Sequence, residues 1–144
     1  MTATGPTTTA AGTFSSIRAD DDEGFVPFLH PSEDAPPGEL VTFGEFAPLR
    51  VGGSSGQTLI AGVWRIAEPC DSPVYDSPDG DETFLVLEGE CTITELDSGA
   101  EHHFRAGDLV TWSQGTRTRW RIHSPFRKVV VVGSAAPQQL PPGA

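Results

Sequence analysis

Apolar and polar residues alternate over short runs along most of the chain. No segment repeats its apolar residues with the roughly 3.6-residue period of a helix or carries helix caps. The alternation therefore predicts strands, separated by turn residues such as Gly and Asp. Such closely spaced strands without helices are typical of an antiparallel sandwich or barrel. The predicted strands cover residues 40–46, 57–67, 82–87, 90–96, 102–105, 109–113, 117–123 and 127–132, with a further short candidate at 73–75.

One of these strands predicts which side chains face inward. From residue 117 to 122, arginines alternate with Thr118, Trp120 and Ile122. Three arginines cannot be buried without partners, so the face that carries Trp120 is predicted to look into the barrel. Residues 84–87 and 129–132 are apolar at every position, which predicts strands covered on both faces.

The chain has 144 residues, the length of one domain. Residues 1–16 and 134–144 are rich in Thr, Ala, Gly, Ser and Pro and are predicted to be disordered tails. The single domain is predicted to span residues 17–133, with its core motif at 57–132. No secretory signal or membrane-length apolar run is present, and we expect a cytoplasmic protein.

The charge of the chain restricts its partners. The net charge of −11 makes this an acidic protein and argues against nucleic-acid or membrane partners. The simplest interpretation of the late basic residues is a solvated strand face balanced by acidic loops. A subunit interface or an entrance for an anionic substrate is the alternative. These basic residues are Arg117, Arg119, Arg121, Arg127 and Lys128.

The spacing of one glutamate and several glycines resembles the cupin pattern. Its first part places a Gly seven positions after a Glu, as Gly89 follows Glu82. The glycines of its second part match Gly107 and Gly115, with Ser113 where Pro is usual. The resemblance implies an all-β fold, the RmlC-like jelly-roll barrel or double-stranded β-helix.

More narrowly, the chain resembles small cupins of the ethanolamine-utilisation and ureidoglycine aminohydrolase type. Cupins of this size commonly form homodimers, and exposed strand edges also need covering. We therefore expect a homodimer, in which residues 40–46 either add a strand to a partner or close the protomer's own sheet. The resemblance is carried by residues 62–64, 81–82, 87–90, 106–108, 115–120 and 127–128.

Metal-binding cupins hold their ion with three histidines and one glutamate. At the histidine positions this sequence has Tyr75, Ser77 and Thr118, which are poor ligands for divalent ions. None of the four histidines obviously rebuilds the site. We therefore expect no bound metal or other cofactor, and a metal site with an atypical ligand set remains an alternative. The histidines are His30, His102, His103 and His123.

Without metal, the barrel is predicted to hold one carboxylate in an aromatic pocket. A carboxylate in such surroundings is suited to general acid or base catalysis. Glu82 is therefore the predicted catalytic group, and the Tyr75 hydroxyl either holds it or polarises a substrate carbonyl. The predicted substrate-binding residues are Trp64, Phe84, Trp112, Thr118 and Trp120.

Three functions are compatible with this site. The first is a metal-independent isomerase, lyase, cyclase or hydrolase that acts on a small molecule. The second is a module that binds or senses a small molecule without turnover. The third is a metal-dependent cupin with an atypical ligand set. The fold alone does not choose between them.

Overall fold

The computed structural model describes residues 13–135, which form ten strands and no helix. One sheet has six strands in the order β1-β2-β3-β10-β5-β8, and the other has four in the order β4-β9-β6-β7. All pairings are antiparallel, so the predicted all-β jelly roll is confirmed. The strands are β1 (Val26–Pro31), β2 (Leu40–Val51), β3 (Thr58–Ile66), β4 (Cys70–Asp71), β5 (Asp81–Glu88), β6 (Glu90–Glu95), β7 (Glu101–Arg105), β8 (Leu109–Trp112), β9 (Thr118–Ile122) and β10 (Phe126–Ser134).

The core lies between the two sheets and follows the alternation of the central strands. On β9, Thr118, Trp120 and Ile122 are each 2% exposed, so the predicted inward face is confirmed. Full burial of one such apolar side chain contributes about 1.5–3 kcal/mol to folding. The facing strands supply the rest of the core, chiefly Phe84, Val86, Phe126, Val130 and Val132.

Two short elements differ from the prediction. β1 was not predicted, because Pro27 and Pro31 are typical of loops. It is an edge strand, where a missing amide hydrogen bond is tolerated. The candidate strand at 73–75 is wrong: β4 precedes it, and Tyr75 forms only an isolated bridge with Thr118.

Residues 40–46 close the protomer's own sheet, because β2 pairs with β1 on one side and with β3 on the other. The expectation that residues 84–87 and 129–132 are covered on both faces is wrong for the protomer. Leu85 and Leu87 are each 36% exposed and Val131 is 40% exposed. The inner face of these strands is packed, while the outer face is apolar and open.

The arginines of the basic region are paired with acidic loops, as the simplest interpretation predicted. Arg117 donates two hydrogen bonds to Glu33, at 2.6 and 2.9 Å. Arg119 pairs with Asp34 at 3.2 Å. Both acids lie in the loop between β1 and β2, so the ion pairs hold that loop against β9.

The part of the chain that the structure describes contains no helix long and apolar enough to cross a membrane. The cytoplasmic location stays a prediction. Most of the predicted N-terminal tail and of the C-terminal tail lies outside the described residues. Ser134, which the prediction placed in the C-terminal tail, ends β10.

Candidate functional site

The interior of the barrel contains a buried ion pair. Glu82 lies on β5 and is 1% exposed, and its Oε2 is 2.8 Å from Nζ of Lys128 on β10. The side chain of Lys128 is 7% exposed. The prediction that Lys128 belongs with the basic residues of a solvated strand face is therefore wrong. The alternation of β10 could have placed it, because Lys128 shares its face with Phe126 and Val130.

Aromatic rings surround the ammonium group of Lys128. Its Nζ is 4.2 Å from the ring centre of Trp120, 4.5 Å from that of Phe84 and 5.2 Å from that of Trp64. Attraction between a cation and an aromatic face is strongest where water is excluded. Three of the predicted aromatic residues therefore surround a cation.

Tyr75 lies on the other side of the carboxylate. Its hydroxyl donates a hydrogen bond of 3.4 Å to Oε1 of Glu82. Burial raises the pKa of Tyr75 above its usual range, and the negative charge of Glu82 raises this pKa further. Tyr75 therefore stays a phenol, which can donate a hydrogen bond. The Thr118 hydroxyl donates to the Tyr75 carbonyl, and Trp120 Nε1 donates to Thr118 Oγ1 at 3.1 Å.

A cavity of about 60 Å³ adjoins the ion pair. This exceeds the minimum space that one water molecule needs, so a small ligand or a few waters fit. Glu82 does not line the cavity and reaches it through its two partners, Lys128 and Tyr75. The walls of the cavity are apolar apart from Tyr75, Asp79 and Lys128. The lining residues are Phe28, Phe43, Phe46, Ile60, Trp64, Tyr75, Asp79, Trp120, Lys128, Val130 and Val132.

The predicted substrate-binding residues divide into two groups. Trp64 and Trp120 line the cavity beside Lys128, and Phe84 lies behind it against Trp120, with ring centres 5.5 Å apart. Trp112 and Thr118 line a second, neighbouring cavity of about 300 Å³. β1 and β2 contribute an aromatic wall that was not predicted, because their phenylalanines lie outside the motif strands.

The residues at the cupin metal positions do not fit a divalent ion. The one carboxylate, Glu82, is already neutralised by an ammonium group that would repel a second cation. The Ser77 hydroxyl donates to the Gly80 carbonyl at 2.7 Å, and the Thr118 hydroxyl is committed to Tyr75. Within residues 13–135, no three or more His, Cys, Asp or Glu residues are grouped so that they could hold a metal.

The histidines lie away from the ion pair. His102 contacts Glu95, and His103 and His123 both contact Thr92. The contacts of Thr92 are on the outer face of the four-stranded sheet, whereas His102 and Glu95 line the cavity of about 300 Å³. His30 is buried at the end of β1, with its ring centre 4.8 Å from that of Tyr75.

Comparisons with known proteins agree with the architecture. The family model described as "EutQ-like cupin domain" matches residues 54–129. No curated protein sequence matches the chain.

Among solved structures, the Cnp3 cupin domain of Schizosaccharomyces pombe is 14% identical. It has a TM-score of 0.53, with 78% of this chain and 89% of that chain covered. The EutQ protein of Clostridium difficile is 19% identical, with a TM-score of 0.49 and coverage of 69% and 71%. A DUF861 family protein from Thermotoga maritima is 34% identical, with a TM-score of 0.41 and coverage of 49% and 75%.

Proposed function

Because the chain belongs to the EutQ-like cupin family but has a lysine–glutamate pair in its barrel, we propose that it processes a small carbonyl compound without metal. Lys128 is the group that meets the substrate, and Glu82 is the residue that holds it and exchanges protons with it. The reaction is of the isomerase, lyase, cyclase or hydrolase type, in which protons move and no electrons leave the substrate.

The observation that carries this proposal is the position of Lys128 Nζ. Lys128 forms part of the cavity wall, and its Nζ lies 2.8 Å from a buried carboxylate. An ammonium group in an apolar cavity stabilises negative charge that develops on a substrate oxygen, because little water screens it. Glu82 therefore acts through Lys128 rather than on the substrate directly, which refines the role predicted from the sequence.

Tyr75 supplies the second polar group of the cavity wall. Its pKa is raised by burial, so its hydroxyl is a donor at neutral pH. A carbonyl oxygen near Lys128 Nζ can accept a hydrogen bond from the ammonium, and also one from the phenol when the Tyr75 hydroxyl turns from Glu82 Oε1 to the ligand. The aromatic walls contribute contact with the apolar part of the ligand.

The second candidate is a binding module without turnover. The observation that favours it is the small number of polar groups, since only Tyr75, Asp79 and Lys128 interrupt an otherwise apolar wall. Such a cavity recognises a ligand by shape and by one or two hydrogen bonds. Both candidates place the ligand against Lys128, and they differ in whether product forms.

A thermal-shift screen with propanal, acetone, cyclopentanone, benzaldehyde and pyruvate, followed by proton NMR of each mixture, tests both candidates. We expect a carbonyl compound to raise the melting temperature of the native protein and to lose this effect in Lys128→Met. Arg50→Met, which removes an exposed base, is the matched control and keeps the effect. Product in the NMR spectrum supports the enzyme, and binding without product supports the module. If no compound raises the melting temperature, the proposal is wrong.

A further inference from the structure

Lys128 is the only lysine of the sequence. The nine basic residues other than histidine are eight arginines and this one lysine. An arginine is protonated at every physiological pH, whereas the amine of a lysine is a nucleophile once a neighbouring base has taken its proton. The residue type at position 128 therefore provides a chemistry that none of the arginines can provide.

We propose that Lys128 forms a reversible imine with a small, uncharged aldehyde or ketone in the aromatic cavity. This inference rests on the proposed function and adds its substrate class and its covalent step. The cavity beside Nζ is about 60 Å³. The single charge of Lys128 is already balanced by Glu82, and the other charged residue of the wall is the acidic Asp79. These features favour a small neutral carbonyl compound over an anionic one.

The hydrogen bonds around Nζ leave part of its donor capacity unused. Among the described residues, Glu82 is the one hydrogen-bond acceptor that Lys128 has. An ammonium group has three N–H bonds, so two remain for a ligand oxygen or for the ring faces. The neighbouring rings present faces rather than oxygen or nitrogen acceptors to Nζ, the nearest being that of Trp120 with its ring centre at 4.2 Å.

Glu82 and Lys128 together provide and take up every proton that imine formation requires. Glu82 takes one proton from the ammonium over 2.8 Å, which frees the nitrogen lone pair. The amine attacks the carbonyl carbon, a C–N bond forms, and the carbonyl π electrons move to oxygen, which takes a proton from the nitrogen. Glu82 then returns its proton to the hydroxyl, which leaves as water while the C=N bond forms. The product is a protonated imine beside the Glu82 carboxylate, so the charges of the pair are unchanged.

Reductive trapping with propanal and sodium cyanoborohydride at pH 7 tests the imine. The single lysine makes the assay simple, because the chain's α-amine is the one competing amine. An ordinary lysine, with a pKa of about 10.4, is deprotonated at pH 7 roughly a hundredfold less than an α-amine with a pKa near 8. In protein unfolded in guanidinium chloride, the propyl group should therefore appear mainly on the α-amine.

In the native protein, peptide mapping should find the propyl group on Lys128 at least as fast as on the α-amine. The ratio of the two adducts should rise roughly a hundredfold over its value in the unfolded protein. A buried ion pair that serves structure alone gives the opposite result, because folding then protects Lys128. A native ratio equal to or below the unfolded ratio overturns the proposal.

Two variants separate this inference from the proposed function. Glu82→Gln should reduce trapping at Lys128 at least tenfold and leave the α-amine adduct unchanged, because the proton acceptor is lost. Lys128→Arg keeps the charge but cannot form an imine, so trapping at position 128 should disappear while ketone-induced stabilisation persists.

If native wild-type protein is stabilised by ketones but not trapped, the proposed function stands and the imine is wrong. If neither occurs, both are wrong. The native-to-unfolded ratio decides the imine even where a variant does not fold.

Discussion

Lys128 occupies the barrel interior because β10 alternates, with Phe126, Val130 and Val132 on the same face. Its ammonium group supplies the positive charge that the carboxylate of Glu82 needs in the barrel. Burial of two charges costs several kcal/mol per ion, and a close pair returns this cost only with good geometry. A hydrogen bond of 2.8 Å and three aromatic faces provide that geometry.

The energetic coupling of the pair can be measured by a double-mutant cycle. We expect Lys128→Met to lower the free energy of unfolding by about 3–5 kcal/mol, because it leaves an unpaired buried carboxylate. Glu82→Gln should have a similar effect, since it leaves an unpaired ammonium. The double variant should be destabilised by much less than the sum, because neither charge remains. Urea denaturation of the four proteins gives the coupling energy.

The exposed pair of Arg121 and Asp71 is the control for this cycle. Its two side chains are 68% and 62% exposed, and its ion pair is 3.1 Å long. Solvent screens such a pair, so the cycle of Arg121→Met and Asp71→Asn should show little coupling. Additive effects of Lys128→Met and Glu82→Gln would contradict the interpretation that the two charges stabilise each other.

Some of the residues of the site could be predicted from the sequence, and one could not. The cupin spacing identified Glu82 from Gly89, and it identified Tyr75 as the residue at a histidine position of the pattern. These two side chains do contact each other. Lys128 was missed because a basic residue beside Arg127 was assigned to the surface by type rather than by face. The side chain of Arg127 is 13% exposed and contacts Asp22 at 2.7 Å, so the two neighbours point to opposite sides of one strand.

At the scale of elements, the turn between β5 and β6 requires glycine for two separate reasons. Gly89 has a φ of +90°, which other residues rarely adopt. A Cβ there would also lie 2.1 Å from the carbonyl oxygen of Pro125, on the loop between β9 and β10. The turn therefore fixes how closely the two sheets approach at this end of the barrel.

Gly99 allows the two reasons to be separated. It has a φ of +77°, and a Cβ would meet no atom within 4 Å. Gly99→Ala should therefore cost about 1–2 kcal/mol, the usual cost of a left-handed residue. Gly89→Ala should cost at least about 2 kcal/mol more, because the backbone must also shift. Chemical denaturation of the two variants measures the difference, and equal costs would show that the approach of Pro125 is unimportant.

The strands differ in how well the local sequence pattern predicts them. β9 was predicted correctly because its alternation is strict over its whole length. β4 has two residues and exists through its pairing with β9, so no local signal marks it. β1 carries two prolines, and only its place at the edge of the six-stranded sheet makes them acceptable.

At the scale of the whole molecule, charge and apolar surface are separated. The acidic loops bind the arginines of β9, while the outer face of β5, β8 and β10 exposes leucine and valine. Leu109 is 73% exposed there, next to Leu85 in the pairing of β5 and β8. A second copy of the chain would cover this apolar face. The homodimer stays a prediction, and this is the face that it would use.

The stability of the whole molecule should depend on pH through His30. His30 is 2% exposed, its Nδ1 donates to the Pro31 carbonyl at 2.7 Å, and its Nε2 has no partner in the described structure. Burial lowers the pKa of His30 below its usual 6.5, although the Pro31 hydrogen bond and the negative charge of Asp76 oppose this shift. The unfolded chain therefore binds a proton at this residue more readily than the folded protein does.

The sign of the effect follows from this difference in proton binding. Above pH 6.5 the imidazole is neutral in both states and has no effect, and as pH falls below 6.5 the free energy of unfolding should decrease. His30→Phe keeps an aromatic ring beside Tyr75 but cannot titrate, so its urea midpoint should change less between pH 7 and pH 5. His103→Gln, at an exposed histidine, should behave as the wild type.

Hydrogen bonds from Arg117 and from the Val74 amide lower the pKa values of Glu33 and Asp34, so these acids titrate in a separate, lower range. An unchanged pH dependence in His30→Phe would assign the acid sensitivity to other groups.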